Sequence, residues 1–231
     1  MKGIILAGGK GTRLQPATFA MNKHMVPILN KPMIEYPIAT LKVLSVTDIL
    51  IVSGGNHIGA FAEYLGDGKA HGVNFTYRVQ TEAGGIAQAL GLAEDWAHGE
   101  SVAVILGDNI FDDKNFHGFK RPEGATIFLK EVENASRFGV YNEGTIVEKP
   151  LGQRKGHAVT GLYFYPPEVF EVVKMLRPSS RGELEITDVN NHFLKEQKMS
   201  VRYAHHFWSD AGTPESLYQV TEWAYGKLGL S

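Results

Sequence analysis

The sequence predicts an α/β fold with a mainly parallel central sheet and a β-hairpin inserted late in the chain. Three observations carry this. Apolar runs of strand length recur as GIILA (3–7), DILIVSG (48–54) and SVAVILGD (101–108), and continuous apolar runs suit strands covered on both faces. Between them lie segments with helical apolar spacing, which implies βαβ units. After residue 130 the alternation gives way to FGVYNEGTIVEKP (138–150), two short strands around the turn NEG.

The elements follow in order. GIILA is the first strand. PMIEYPIATLKVL (32–44) spaces Ile34, Ile38 and Leu41 by four and three behind Pro32, a residue suited to a first helical turn. DILIVSG and NFTYRV (74–79) are the next strands. GGIAQALGLAEDWA (84–97) reads as one helix through Ile86, Leu90, Ala93 and Ala97. SVAVILGD and ATIFLK (125–130) return to strand, and HAVTGLYFYP (157–166) follows the hairpin. GELEITDVNNHFLKE (182–196) has helical spacing at Leu184, Val189 and Phe193, and MSVRYA (199–204) is a strand. The final helix begins with Thr213 as N-cap, Pro214 at its first position and Ser216 nearby. We read one domain over 1–231, with a part to about 130, a part over about 131–212 and a C-terminal helix over 213–231.

Composition narrows the function. With 43% hydrophobic and 21% charged residues the chain can bury a real core. A formal net charge of −2 argues against nucleic acid as a partner. Cysteine is absent, which excludes disulfides, thiolate zinc sites and cysteine nucleophiles. No apolar segment is long enough to span a bilayer, and the apolar stretch of MKGIILAGG is too short for a signal peptide. A cytoplasmic location without membrane attachment is expected.

The chemistry concentrates where strands end. LAGGKGTRL (6–14) follows the first strand with three further glycines and two cations in its tail. Glycines there let backbone N–H groups approach an anion, and Lys10 and Arg13 add charge. The pattern is neither a P-loop nor G-x-G-x-x-G, so the segment alone is either a phosphate cradle or a tight turn. Lys23 sits in MNKHMVPILNKPM (21–33), which Pro27 and Pro32 keep from being one helix; it is either a solvated cation or a second hand on the same anion. Asp108 in ILGDNIF and Asp210 in WSDAGTPESL stand at strand ends. Each is a turn residue or a cation ligand, and two such carboxylates beside a basic glycine loop suit Mg²⁺ with a nucleoside triphosphate. His205 and His206 are adjacent, so on a strand they face opposite ways and share no metal.

Taken together, LAGGKGTRL, KHMVPILNKPMI, GGIAQAL, LGDNIF, FGVY, VEKP, TGLYFY, RGELEITDVN and WSDAGTPESL stand in an order and spacing that resembles the sugar-1-phosphate nucleotidylyltransferases, most closely the branch acting on glucose 1-phosphate with dTTP. The resemblance implies a three-layer Rossmann-like nucleotidyltransferase fold in which the hairpin insertion forms the sugar side. It implies that Leu6, Gly8, Gly9, Gly11, Thr12 and Arg13 wrap the nucleotide, that Gln80 and Gly85 recognise the base, and that Lys23 binds phosphates. Asp108 and Asp210 would hold Mg²⁺. Gly139, Glu148, Lys149, Thr160 and Arg181 would contact the sugar and its phosphate. Arg13, Lys23, Asp108 and Lys149 would carry catalysis, and a homo-oligomer is compatible with the resemblance.

These roles make chemical sense. A Gln amide can pair with the O4/N3–H edge of thymine or uracil, and Glu148 can accept sugar hydroxyls. Lys149 shares their side only if the chain already bends at EKP. A phosphate monoester is anionic at neutral pH, so attack on the α-phosphorus needs positioning and charge neutralisation and no general base. The same chemistry with UTP or another hexose 1-phosphate is the nearest rival. A non-catalytic nucleotide-sugar-binding subunit is the rival of another class, and it would not need both carboxylates and both cations.

Overall fold

A computed structural model of the chain describes residues 1–229. The strands, in chain order, are β1 (Lys2–Leu6), β2 (Pro27–Ile28), β3 (Lys31–Pro32), β4 (Asp48–Gly54), β5 (Asn74–Gln80), β6 (Val102–Leu106), β7 (Asn109–Phe111), β8 (Ala125–Val132), β9 (Gly139–Asn142), β10 (Thr145–Glu148), β11 (Gly156–Tyr165), β12 (Met199–Tyr203) and β13 (Trp208–Asp210). The helices are α1 (Glu35–Val43), α2 (Ile58–Leu65), α3 (Ile86–Gly91), α4 (Glu94–Ala97), α5 (Val169–Met175), α6 (Ile186–Lys195) and α7 (Pro214–Lys227).

The strands β6-β1-β4-β5 lie side by side and parallel. Beyond β6 the long strand β11 runs antiparallel and pairs with β6, β8 and β9, and β10 closes that side against β9. β12 runs parallel to β8. The expected parallel sheet is therefore one side of it, running from β6 to the edge strand β5, and β11 is the strand where it turns antiparallel.

Alternation along β1 makes the three layers. Ile4 and Leu6 face the core shared with α3, α5 and α6, while Ile5 and Ala7 face the one shared with α1 and α2. Side chains that switch faces at every residue fill both cores from one run of apolar sequence. A smaller third core joins Leu14, Val26, Ile28, Met33 and Ile110 to Val220 and Ala224 of α7.

Several boundaries differ from the sequence reading. The helix expected from Pro32 starts at Glu35, and Pro32 pairs in β3. Pro37 occupies its first turn instead, where a missing N–H costs no intrahelical bond. The helix expected over 84–97 is two helices: the bond from Ala93 N–H goes to Leu90 O, tightening the turn after Gly91. Gly91 itself packs on α5, where a Cβ would stand 3.0 Å from Val173 Cγ1. Helix α2 and the short strands β2, β3 and β7 carry no signal that the sequence reading used, whereas β13 ends at Asp210 as expected.

The final helix starts as expected. Thr213 Oγ1 accepts from Ser216 N–H at 3.2 Å and Thr213 N–H donates to Ser216 Oγ at 3.0 Å, a reciprocal cap. The helix ends at Lys227, and residues 230–231 of the expected 213–231 helix lie outside the described residues. Thr213→Ala removes half of the cap, and a loss of about 1 kcal/mol of unfolding free energy is expected. Urea titration checks this; an unchanged midpoint would mean the cap contributes nothing to stability.

Candidate functional site

In an open α/β sheet, ligands bind beyond the carboxyl ends of the strands, where chain connections diverge. Here β1 has β4 on one side and β6 on the other, and the crevice opens past Leu6 and Leu106. Two cavities occupy it. One, of about 290 Å³, is lined by Leu6, Gly8, Gly9, Lys23, Gln80 and Gly85 among others; the second, of about 220 Å³, by Arg13, Gly139, Glu148, Lys149 and Arg181 among others. Ile86, Leu106, Asp108 and Glu183 line both. The cavities meet at Asp108.

Asp108 stands in the turn between β6 and β7, and Asp210 ends β13. The antiparallel pairing of β7 with β13 sets Asp210 across from Asn109, and Ala211 N–H donates to Asp108 O at 2.8 Å. The two carboxylates thereby converge on Gly212. A Cβ on that glycine would lie 3.0 Å from Asp210 Oδ2, 3.7 Å from Asp108 Oδ2 and 3.3 Å from Arg13 Nη2.

Each carboxylate has its own cation. Lys23 Nζ donates to Asp108 Oδ2 from the first cavity, and Arg137 Nη2 donates to Asp210 Oδ2 at 2.5 Å from the second. Burial alone would raise the Asp108 carboxyl, but Lys23 outweighs it and holds the group well below the usual carboxylate range. At Asp210 burial wins: with Asp108 adding repulsion, it rises to about 6 despite Arg137.

Asn109 fixes the arrangement. Its Oδ1 accepts from Gly161 N–H and from Trp208 Nε1–H, both at 2.8 Å, so its amide nitrogen must face Asp108 Oδ1, to which it donates at 3.0 Å. Gly161 is obligatory, since a Cβ there would stand 2.6 Å from Asn109 Cγ.

The first cavity is shaped by glycines. A Cβ on Gly8 would meet Gln80 Oε1 at 2.7 Å, and one on Gly9 would meet Lys23 Cε at 2.9 Å. Gly85 opens α3 at φ +97°, where a Cβ would stand 2.5 Å from Leu184 O. Gln80 Nε2 donates to Gly85 O at 3.3 Å and to Gln88 Oε1 at 2.5 Å, which holds the amide at the cavity wall. His24, almost wholly buried behind Lys23, has its Nδ1 2.7 Å from Asn22 Oδ1; burial, with Lys23 adding, lowers its pKa to about 3.

In the second cavity, Glu148 accepts from Thr187 Oγ1–H at 2.6 Å and from Arg181 Nη2–H at 3.2 Å. Asn191 clasps both backbone groups of Ile146 at 2.8 Å, tying the β9–β10 hairpin to α6. Lys149 has φ +45°. That is the bend needed for Glu148 and Lys149 to line one cavity.

Most of the expected residues come together. Three positions sit elsewhere. Gly11, at φ +64°, turns the loop against Thr18 and Lys23 and lines neither cavity; Thr12 opens an exposed 3₁₀ turn. Thr160 is fully buried in β11, and its neighbours Val159 and Gly161 line the second cavity instead. The register of β11 with β8 shifts between Val159 and Tyr163, the interval that holds Thr160. Sequence reasoning missed Arg137 and the bridging role of Asn109; a cation directly before FGVY and an amide directly after Asp108 were the available signals.

Comparison with known proteins accords with this geometry. The description of the nucleotidyl transferase family fits residues 2–224. The chain belongs to that family. It is 41% identical over 233 residues to the glucose-1-phosphate thymidylyltransferase of Neisseria meningitidis, covering 95% of this chain and 81% of the relative. Against the enzyme of the same name from Mycobacterium tuberculosis it is 38% identical, covering 96% and 81%. A Bacillus anthracis crystal structure, provisionally assigned as a glucose-1-phosphate thymidylyltransferase and solved with sucrose, superposes with a TM-score of 0.87 at 47% identity over 97% of this chain and 95% of that one. A UDP-glucose pyrophosphorylase complexed with UDP-glucose shares the fold, with a TM-score of 0.85 at 24% identity over 98% of both chains. No helix among the described residues is long and apolar enough to cross a membrane.

A consequence for stability follows from His24. Between about pH 6.5 and 3 the unfolded chain binds a proton there and the native nucleotidyl transferase does not. Native stability therefore falls as pH drops through 6.5, by as much as about 5 kcal/mol from this group once pH 3 is reached. Unfolding free energies at pH 7, 5.5 and 4.5, set beside those of His24→Gln, measure it. An NMR titration of His24 near pH 6 would contradict the account.

Proposed function

We propose that this nucleotidyl transferase is a glucose-1-phosphate thymidylyltransferase, converting dTTP and glucose 1-phosphate to dTDP-glucose and pyrophosphate. The observation that carries the reading is the meeting of two cavities at one buried carboxylate, with a glycine and Gln wall on one side and a Glu, Lys and Arg wall on the other. Identities of 38–47% to proteins of that name over most of both chains support it.

The nucleotide fits the first cavity, its base toward Gln80 and Gly85 and its phosphates toward Gly8, Gly9 and Lys23. The sugar 1-phosphate fits the second. Its phosphate oxygen then faces the α-phosphorus across Asp108, forms the new P–O bond there, and pyrophosphate departs with the electron pair of the broken bond. The protein orients both anions, excludes water and offsets charge with Arg13, Lys23 and Lys149.

Mg²⁺ suits the donor set. Asp108 and Asp210 offer hard carboxylate oxygens converging on one point. Among the described residues no cluster of three or more His, Cys, Asp or Glu could hold an ion alone, so water and phosphates would complete the shell, as Mg²⁺ prefers. When bound, the ion supplies positive charge to the phosphoryl oxygens.

Pyrophosphate release with glucose 1-phosphate and Mg²⁺, run with dTTP, UTP, CTP, ATP and GTP in parallel, tests the reading. Turnover favouring dTTP is expected, with Asp108→Asn lowering it about 100-fold or more. Turnover with UTP alone would move the product to UDP-glucose. Silence with every nucleotide and sugar phosphate would leave a binding subunit. A second expectation concerns pH: with the Asp210 proton held to about 6, the Mg²⁺ concentration for half-maximal rate rises as pH falls from 7 to 5.5. A flat Mg²⁺ requirement across that range would remove Asp210 as a ligand.

A further inference from the structure

Four cations surround the second cavity: Arg13, Arg137, Lys149 and Arg181. They are not equally free to take an anion. Arg181 is enclosed by acids, with Nη2 2.7 Å from Glu185, 3.2 Å from Glu148 and 3.7 Å from Glu183, and Nε donating to Glu185 at 3.1 Å. Three carboxylates around one guanidinium leave a net negative charge, which opposes an entering phosphate. Lys149 is half exposed and 3.4 Å from Glu148.

Arg137 differs. Among the described residues its only ion-pair partner is Asp210, and its Nε is buried without any hydrogen-bond acceptor. Its guanidinium rests 5.1 Å over the Phe138 ring, which keeps it at the cavity wall. Of five N–H donors it uses one, and an arginine fork binds phosphate through two. Its single acceptor is also a carboxylate that a divalent cation would take.

The pairing on the other side is the mirror of this one. Lys23 reaches Asp108 from the nucleotide cavity as Arg137 reaches Asp210 from the sugar cavity. A divalent cation between the carboxylates would compete with both pairs and turn both cations toward their own cavities. A guanidinium left without its partner in a largely buried place is costly. A phosphate dianion restores the balance.

Resting on the thymidylyltransferase reading, we propose that Arg137 is a catalytic residue: it leaves Asp210 and grips the phosphate of the sugar 1-phosphate through two N–H groups while that phosphate attacks. Arg181, by its bonds to Glu148 and Glu185, orders those acids for the sugar hydroxyls.

The test begins with wild-type turnover of dTTP and glucose 1-phosphate; its absence would fell the functional reading before this one is reached. With turnover in hand, Arg137→Gln should raise the KM for glucose 1-phosphate tenfold or more and leave that for dTTP within threefold. Arg137→Lys, which keeps charge and loses the fork, should fall between. Calorimetric titration of glucose 1-phosphate onto the complex with Mg²⁺ and α,β-methylene dTTP should show the same tenfold loss without any chemistry. Unchanged KM and unchanged affinity for glucose 1-phosphate, with only the Mg²⁺ requirement or the thermal midpoint moving, would make Arg137 a cap on Asp210 and overturn the proposal. Should Arg137→Gln not fold, an unchanged glucose 1-phosphate KM in Arg137→Lys overturns it equally.

Discussion

Two carboxylates brought together away from water repel each other and cost solvation, and the rest of the site is arranged around that cost. Asp108 and Asp210 converge on Gly212, and each is matched by one cation. Removing either cation would leave an uncompensated charge in a largely buried place, an effect of about 3–5 kcal/mol where such pairs are broken. The outcome differs at the two ends. Lys23 keeps Asp108 ionised well below the usual range, while burial and the Asp108 charge hold Asp210 up at about 6. One acid is permanently charged and the other is conditional.

The fold meets this constraint through a very small element. Three residue pairs between β7 and β13 bring the end of the chain back to the end of β6. Asn109 then ties that ribbon to β11 through Gly161 and to β13 through Trp208, leaving one amide N–H for Asp108. Because its carbonyl takes two donors, the amide cannot flip without losing both. Thus Asp108 Oδ1 is fixed, and Oδ2 is the oxygen that faces Lys23 and the shared space.

The large strands and the glycine loop were legible because their cause is local. An apolar run buried on both faces reads the same whatever it pairs with, and Thr213-Pro214 announces a helix start from its own chemistry. Arg137 was not legible, because what distinguishes it from other surface arginines is a partner far along the chain, brought near by β13. Thr160 failed for a related reason: on a strand the register decides which neighbour meets the cavity, and here Val159 and Gly161 do. That Lys149 lines the cavity beside Glu148 could be anticipated, because Pro150 already marks the bend that a positive φ provides. Gly11 shows the limit of motif reading, since its loop glycine serves the turn and packs on Lys23 where Gly8 and Gly9 face the cavity.

If the proposed function holds, the charges also explain why such a site would need a divalent cation together with its substrates. At rest the carboxylates and their two partners cancel, and Arg13 is the nearest further cation to their meeting point. A triphosphate and a phosphate monoester bring far more negative charge than one arginine can offset, and at short range in a low dielectric that repulsion is severe. On the proposed reading, displacing Lys23 and Arg137 from their carboxylates would change the sum without adding a residue: a divalent cation would take the acids, and two side chains that line separate cavities would become available to separate anions. On that reading, the ion pairs that offset the two acids would also hold phosphate-binding capacity in reserve. Specificity for base and sugar can then reside in the outer walls, Gln80 and Gly85 on one side and the Glu148–Thr187–Arg181 network on the other, without disturbing the centre.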